Sequence, residues 1–156
     1  MYKRQVDICK DDGQLIAFTL SDLFCVERHR DSFAELINNN IDILFGNEEE
    51  IFKMSESNSI NEGIQYAKSL NITVAITLAE KGSLIIKGNN VIEVPAIHVD
   101  KVVDTTGAGD LFASGLLYGL CQKKQLETCG HMASVAAAEI ISHYGARPLS
   151  KLSNLV

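Results

Sequence analysis

The spacing of apolar residues changes several times along this chain, and each change marks an element. Leu15-Ile16-Ala17-Phe18-Thr19-Leu20 is a short apolar run closing on Ser21-Asp22, which predicts a buried strand feeding a loop. Phe33, Leu36 and Ile37 then recur at helical spacing until Asn38-Asn39-Asn40 interrupts them, and Ile41-Asp42-Ile43-Leu44-Phe45 predicts a second strand. Ile60, Ile64, Ala67 and Leu70 again share one helical stripe, ending at Asn71. The following Ile72-Thr73-Val74-Ala75-Ile76-Thr77 is β-branched and almost wholly apolar, as expected of a third strand buried on both faces.

Strands separated by helices need crossover connections, so the pattern predicts an α/β fold with a mainly parallel sheet and helices on both sides. The pattern then turns antiparallel. Ser83 to Lys87 and Val91 to Val94 flank Gly88-Asn89-Asn90, a hairpin signal, and Ile97 to Val103 reads as one more strand. From Gly107 onward the chain reads as helical. Leu111, Phe112, Gly115, Leu116 and Leu120 form one stripe, while Met132, Val135, Ala136, Glu139 and Ile140 form another. Gly145-Ala146-Arg147-Pro148 closes the pattern.

Composition narrows the function classes. With 156 residues and no repeat or linker-like tract, the expectation is a single domain over residues 1–156. An apolar fraction of 46% and mean hydropathy of +0.08 supply a real core. Twenty acids against fourteen Lys and Arg leave a net charge of −6, so the basic footprint that a nucleic-acid partner requires is missing. No apolar run approaches the roughly 18 residues of a membrane span, and the first residues lack the apolar core of a signal peptide. A cytoplasmic protein without a membrane partner is expected. Cys9, Cys25, Cys121 and Cys129 include no C-x-x-C pair, so reduced, mostly buried thiols are expected. The scattered histidines suggest no structural metal.

The chemistry concentrates in Val103-Asp104-Thr105-Thr106-Gly107-Ala108-Gly109-Asp110-Leu111-Phe112, where a strand-like run meets an amphipathic helix. Glycines at 107 and 109 let the backbone turn, leaving the first N–H groups of the helix free to receive an anion with help from its dipole. No Gly-Lys-Ser/Thr follows, so this is not a Walker loop, and Phe112 stands where a dinucleotide fingerprint has its third glycine. The same residues admit a purely structural reading, with Asp104 or Thr106 as helix N-cap and Asp110 as a surface acid complementing the dipole.

This segment, together with Gly115, closely resembles the C-terminal signature of the ribokinase-like, PfkB-type carbohydrate kinases. Asn47-Glu48-Glu49-Glu50 resembles that family's Asn-x-x-Glu motif. Thr77-Leu78-Ala79-Glu80-Lys81-Gly82 resembles its nucleotide loop, with Ala79 where glycine is usual. The stretch from Thr19-Leu20-Ser21-Asp22 to Arg28-His29-Arg30 looks like the adenosine-kinase-like sugar kinase branch. The order matches, and the resemblance extends over nearly the whole chain, yet it corresponds only to the C-terminal half of the family pattern. The implied fold is ribokinase-like and truncated.

The resemblance implies ATP-dependent phosphorylation of a sugar or nucleoside hydroxyl. Asp110 takes the role of base, and the amides of Gly107, Ala108 and Gly109 that of anion hole. Asn47, Thr77, Gly82, Thr106, Ser134 and His143 border ATP. Glu50 organises Mg2+, through water, and Asp104 belongs to a monovalent cation (K+) region. Spacing alone reads Asn47 and Glu50 as a helix capping box, a role that can coexist with magnesium. Because relatives run to about twice this length, the resemblance implies a small-molecule acceptor whose binding residues lie elsewhere. The chain is then expected to form a homo-oligomer or to pair with a separately encoded N-terminal half. The competing readings are a catalytically silent nucleotide-binding or oligomerising remnant, and a Rossmann-type dinucleotide binder, which Phe112 disfavours.

Overall fold

Residues 2–154 are described by a computed structural model, and residues 1, 155 and 156 of the expected single-domain span lie outside them. Five strands, β1 (Ala17–Thr19), β2 (Ile43–Asn47), β3 (Thr73–Thr77), β4 (Ser83–Lys87) and β5 (Asn90–Val94), form one sheet in that order. The flanking helices are α1 (Tyr2–Asp11), α2 (Leu23–Asn40), α3 (Glu48–Ser55), α4 (Ile60–Ser69), α5 (Ala108–Cys121) and α6 (Leu126–Ile141). β1 and β2 are parallel, with Phe18 opposite Leu44, and α2 makes the crossover that a parallel pair requires. The links from β3 to β4 and from β4 to β5 are too short for a crossover, so those neighbours run antiparallel and the sheet is mixed. The chain divides into two compact units. One holds the chain up to Ile76 together with Ile86–Val91, and the other holds Thr77–Ile85 together with the chain from Ile92 on.

In the first unit the core is built from Val26, Leu36 and Ile37 of α2, Leu44 of β2, Ile51 of α3, Ala67 of α4 and Val74 and Ile76 of β3, all buried. The Asp22 carboxylate caps α2 by accepting from the Phe24 amide at 2.7 Å. The break expected at Asn38-Asn39-Asn40 comes three residues early, because α2 runs through Asn40, with the Asn39 side-chain amide bonded to the Glu35 carbonyl at 2.8 Å. The Leu15 to Leu20 run also differs from expectation. β1 is only three residues long, an edge strand with one neighbour and one open edge, in which Ala17 and Thr19 are exposed, Phe18 is half-buried with its ring 5.0 Å from that of Phe33, and the preceding Leu15 is 76% exposed. α1 has no sequence forecast because it buries only Val6 among its described side chains, too little to show as a stripe.

In the second unit α5 and α6 pack side by side. A Cβ on Gly115 would lie 2.7 Å from the Ala133 Cα and from the Met132 carbonyl oxygen, so glycine is what permits this backbone approach. The strand expected over Ile97 to Val103 is absent. The Val103 amide goes instead to the Ile141 carbonyl at the end of α6, at 2.8 Å, so these β-branched residues form a connection and not a ladder. All four cysteines are free, but only Cys129 is buried and Cys121 is exposed, which corrects the expectation of mostly buried thiols. Among the described residues no helix is long and apolar enough to cross a membrane.

Candidate functional site

The glycine-rich turn is shaped by a left-handed residue and an aspartate. Gly107 stands at the N-cap of α5 with φ of 84°, a conformation that disfavours any Cβ, and no side chain caps the helix. A Cβ there would also lie 3.1 Å from the Ala146 Cβ. Asp104 is therefore not the cap. Its Oδ1 accepts from the Thr106 amide at 2.9 Å and its Oδ2 from the Gly145 amide at 3.0 Å, joining the turn to the segment that follows α6.

These bonds stabilise the ionised form and hold the Asp104 carboxyl at about 2, below its ordinary 3.8, with the Gly145 amide as the largest cause and the Thr106 hydroxyl and amide next. A depressed acid contributes stability above its unfolded pKa and loses it as pH falls through the folded one. The Gly145 amide resonance is accordingly expected to titrate with a midpoint near 2 in an NMR pH series. A midpoint near 3.8 would mean that the contact is not held in solution.

The helix start leaves donors free. The Ala108 amide turns back to the Thr105 carbonyl at 3.1 Å and the Leu111 amide bonds the Gly107 carbonyl at 2.9 Å. The amides of Gly107, Gly109 and Asp110 have no acceptor among the described residues. Gly109 is exposed, and a Cβ built on it would meet nothing within 4 Å, so the space above this backbone is open. Asp110, also exposed, sits in the first turn of α5 beside that space.

Thr77 and Gly82 share a second turn. Thr77 ends β3, the Leu78 amide bonds the Gly82 carbonyl at 2.8 Å, and a 3-10 turn over Ala79–Lys81 lies between. Ala79 has φ of 52°, which explains why the resembled motif prefers glycine at that position. Gly82 has φ of 96° and is pressed against Val94, Pro95 and Ala96. The neighbouring Ser83 hydroxyl is buried without a partner among the described residues.

Asn47 and Glu50, in the first unit, form a complete capping box at the start of α3. Asn47 Oδ1 accepts from the Glu50 amide at 2.8 Å, while Glu50 Oε2 accepts from the Asn47 amide and Oε1 from the Asn47 side-chain amide, each at 2.9 Å. Glu50 is 6% exposed. Burial raises its pKa most, the Asn47 amide pulls the other way, and the Asp22 and Glu49 carboxylates raise it further. Among the described residues no group of three His, Cys, Asp or Glu side chains is gathered for a metal. A groove of about 610 Å³ between α2 and α3 has Glu27, Arg30, Glu49, Lys53 and Glu56 as its charged lining, of which four are paired as Arg30–Glu56 and Lys53–Glu27, and it is lined by neither Asn47 nor Glu50.

Ser134 is buried on α6, and His143 lies just past its end with Nε2 3.4 Å from Glu139 Oε2. Glu139 is the residue that sequence patterning passed over as one position of a packing stripe. The available signal was an acid among Met132, Val135, Ala136 and Ile140 on that stripe. Within the second unit, the structure thus brings Asp104, Thr106 and Gly107 together with Gly145 and Ala146, and links His143 to Glu139.

The profile of the pfkB family carbohydrate kinases matches residues 2–152 of this chain. A probable sugar kinase from Rhizobium etli CFN 42 superposes with a TM-score of 0.93 at 39% identity over 96% of this chain and 46% of its own. The adenosine kinase of Sinorhizobium meliloti gives 0.94 at 36% identity, over 97% of this chain and 47% of its own. A fructokinase from Vibrio cholerae O395, in a fructose-, ADP- and calcium-bound form, gives 0.82 at 26% identity, over 93% and 50%. The chain spans about half the length of each of these relatives.

Proposed function

Since this chain belongs to the pfkB family of carbohydrate kinases, we propose that it forms the nucleotide-binding and catalytic half of an ATP-dependent phosphotransferase acting on a hydroxyl of a sugar or nucleoside. The observation that carries this reading is the start of α5, where the Gly107, Gly109 and Asp110 amides are free, Gly109 leaves open space, and an exposed carboxylate adjoins them. Donors of this kind suit a phosphoryl group, and the missing Cβ lets the group approach the backbone.

In this reading the acceptor oxygen attacks the terminal phosphorus of ATP, the bond to the ADP oxygen breaks, and Asp110 takes the acceptor's proton. A loose transition state asks chiefly for positioning, so an ordinary carboxylate serves as base. The amides of Gly107 and Gly109 meet charge developing on the transferred group. The Ala108 amide, assigned to the same hole, joins them by leaving the Thr105 carbonyl. Thr106 adds a hydroxyl, and Asn47, Thr77, Gly82, Ser134 and His143 border the nucleotide. Glu50 is assigned to Mg2+ through water: each of its oxygens accepts one bond from Asn47 and keeps a lone pair that can take a further donor such as a magnesium-bound water. Magnesium bound there would offset phosphate charge. Asp104, with both oxygens on backbone amides, is in the same position toward a monovalent cation.

A second reading, a nucleotide-binding or oligomerising remnant without turnover, is favoured by the edge position of β1 and by the exposed Leu15 and Phe24. Under either reading the chain is expected to associate with itself or with a separate N-terminal half. The test is ADP release from Mg-ATP across a panel of sugars and nucleosides, at rising protein concentration. Acceptor-dependent release is the expected result, steeper than linear in concentration if self-association completes the site. Binding of Mg-ATP with no release for any acceptor, at any protein concentration and with an N-terminal half supplied, would overturn the kinase reading in favour of the remnant.

A further inference from the structure

We propose that Glu139 is a positioning residue for the phosphate-facing turn: it fixes the strap of residues 143–150, and the strap fixes Asp104 and Gly107. The side chain of Glu139 is only 8% exposed although it is an acid on a largely apolar helix. Its Oε1 accepts from the Leu149 amide at 2.8 Å and the Ser150 amide at 2.7 Å, and its Oε2 faces His143 Nε2 at 3.4 Å. Burial works to raise this carboxyl, but the bonds from Ser150, His143 and Leu149 together outweigh it and hold Glu139 below its ordinary range.

The strap has little else to hold it. Tyr144 and Leu149 are 83% and 79% exposed, and residues 145–150 are exposed throughout. Among the described residues, the bonded amides of this stretch go to two carboxylates, Gly145 to Asp104 and Leu149 and Ser150 to Glu139. The Asp104 end is the functional one. Gly145 and Thr106 hold opposite oxygens of that carboxylate, and Ala146 lies against Gly107, whose left-handed conformation begins α5. A ligand role for Glu139 itself does not fit, because its oxygens are occupied and turned away from solvent.

Only the catalytic consequence rests on the kinase reading, and the experiment separates the two. In amide hydrogen exchange on the full chain, Glu139→Ala is expected to speed exchange about tenfold or more at the bonded amides of both segments, Gly145, Leu149 and Ser150 in 143–150 and Thr106 and Ala108 in 104–109, in line with losing bonds to a buried charge. The strands and the middle of α5 should keep their protection. Glu139→Gln retains the carbonyl acceptor for Leu149 and Ser150 and should restore most of the protection. Where Glu139→Ala unfolds the chain, Ser150→Pro deletes one donated amide on an exposed stretch and is read by the same criterion. Faster exchange confined to 143–150, or no change in either segment, would overturn the proposal. In whichever assembly turns over, kcat is expected to fall about tenfold to a hundredfold in Glu139→Ala while the acceptor KM holds, because the loss falls on preorganised donors. Coupled exchange without turnover in the wild type counts against the kinase reading alone, and turnover with uncoupled exchange counts against this inference alone.

Discussion

Asp110→Asn is expected to lower phosphoryl transfer by about 10²- to 10⁴-fold while leaving ATP affinity nearly unchanged, the range that removal of a positioned base produces. The substitution keeps the shape and one acceptor oxygen but cannot take the hydroxyl proton. It should also be quiet for the fold. Asp110 is exposed and its side chain makes no recorded bond to the described residues, so the stability change is expected within about 0.5 kcal/mol. The free amides around it belong to the backbone and survive the change, which is why nucleotide binding should persist. ADP release under saturating acceptor, beside calorimetric ATP titration, makes the comparison. Turnover within about threefold of wild type would place the base elsewhere, since proton transfer contributes far more than that. A parallel loss of ATP affinity would instead mean that Asp110 shapes the turn.

What the sequence made legible follows the range of the interactions involved. β3 and the β4–β5 hairpin were legible because apolar runs and a Gly-Asn turn are local signals. The capping box of Asn47 and Glu50 was legible for the same reason, its partners being three residues apart. The glycine turn was legible as a motif, but its geometry was not. Asp104 reads as a possible helix cap in sequence, and it is a link to Gly145, 41 residues on. The extra strand over Ile97 to Val103 failed because β-branched composition does not say whether a ladder partner exists, and the Val103 amide found a helix end instead. Glu139 was passed over because helical periodicity treats a stripe position as packing, whereas its partners arrive from a loop ten and eleven residues later. Residues whose meaning depends on a distant amide are those on which the turn's rigidity rests.

Two glycines that look alike as motif positions should part company under substitution. Gly82→Ala is expected to destabilise the fold by about 4 kcal/mol, combining strain in a backbone region that only glycine enters with a steric clash. Gly82 has φ of 96° and ψ of −132°, and a Cβ there would lie 2.1 Å from the Val94 carbonyl oxygen, 2.7 Å from the Ala96 amide nitrogen and 2.9 Å from the Pro95 carbonyl carbon. All three are backbone atoms, so no side-chain rotation relieves the contact. Gly109→Ala presents the opposite case. Its Cβ would meet nothing within 4 Å and its φ is not positive, so stability should be unchanged or raised by up to about 1 kcal/mol. The added methyl would nevertheless stand in the space that the phosphate reading assigns to a ligand. Thermal or denaturant melts of both variants, with ATP titrations on whichever remain folded, separate a glycine required by the fold from one required by the nucleotide. Gly109→Ala that melts like wild type and binds ATP equally well would take that space out of the proposed phosphate site. A Gly82→Ala variant within about 1 kcal/mol of wild type would mean that the turn relaxes around the new methyl, against the strain and overpacking costs expected of a backbone-bounded position.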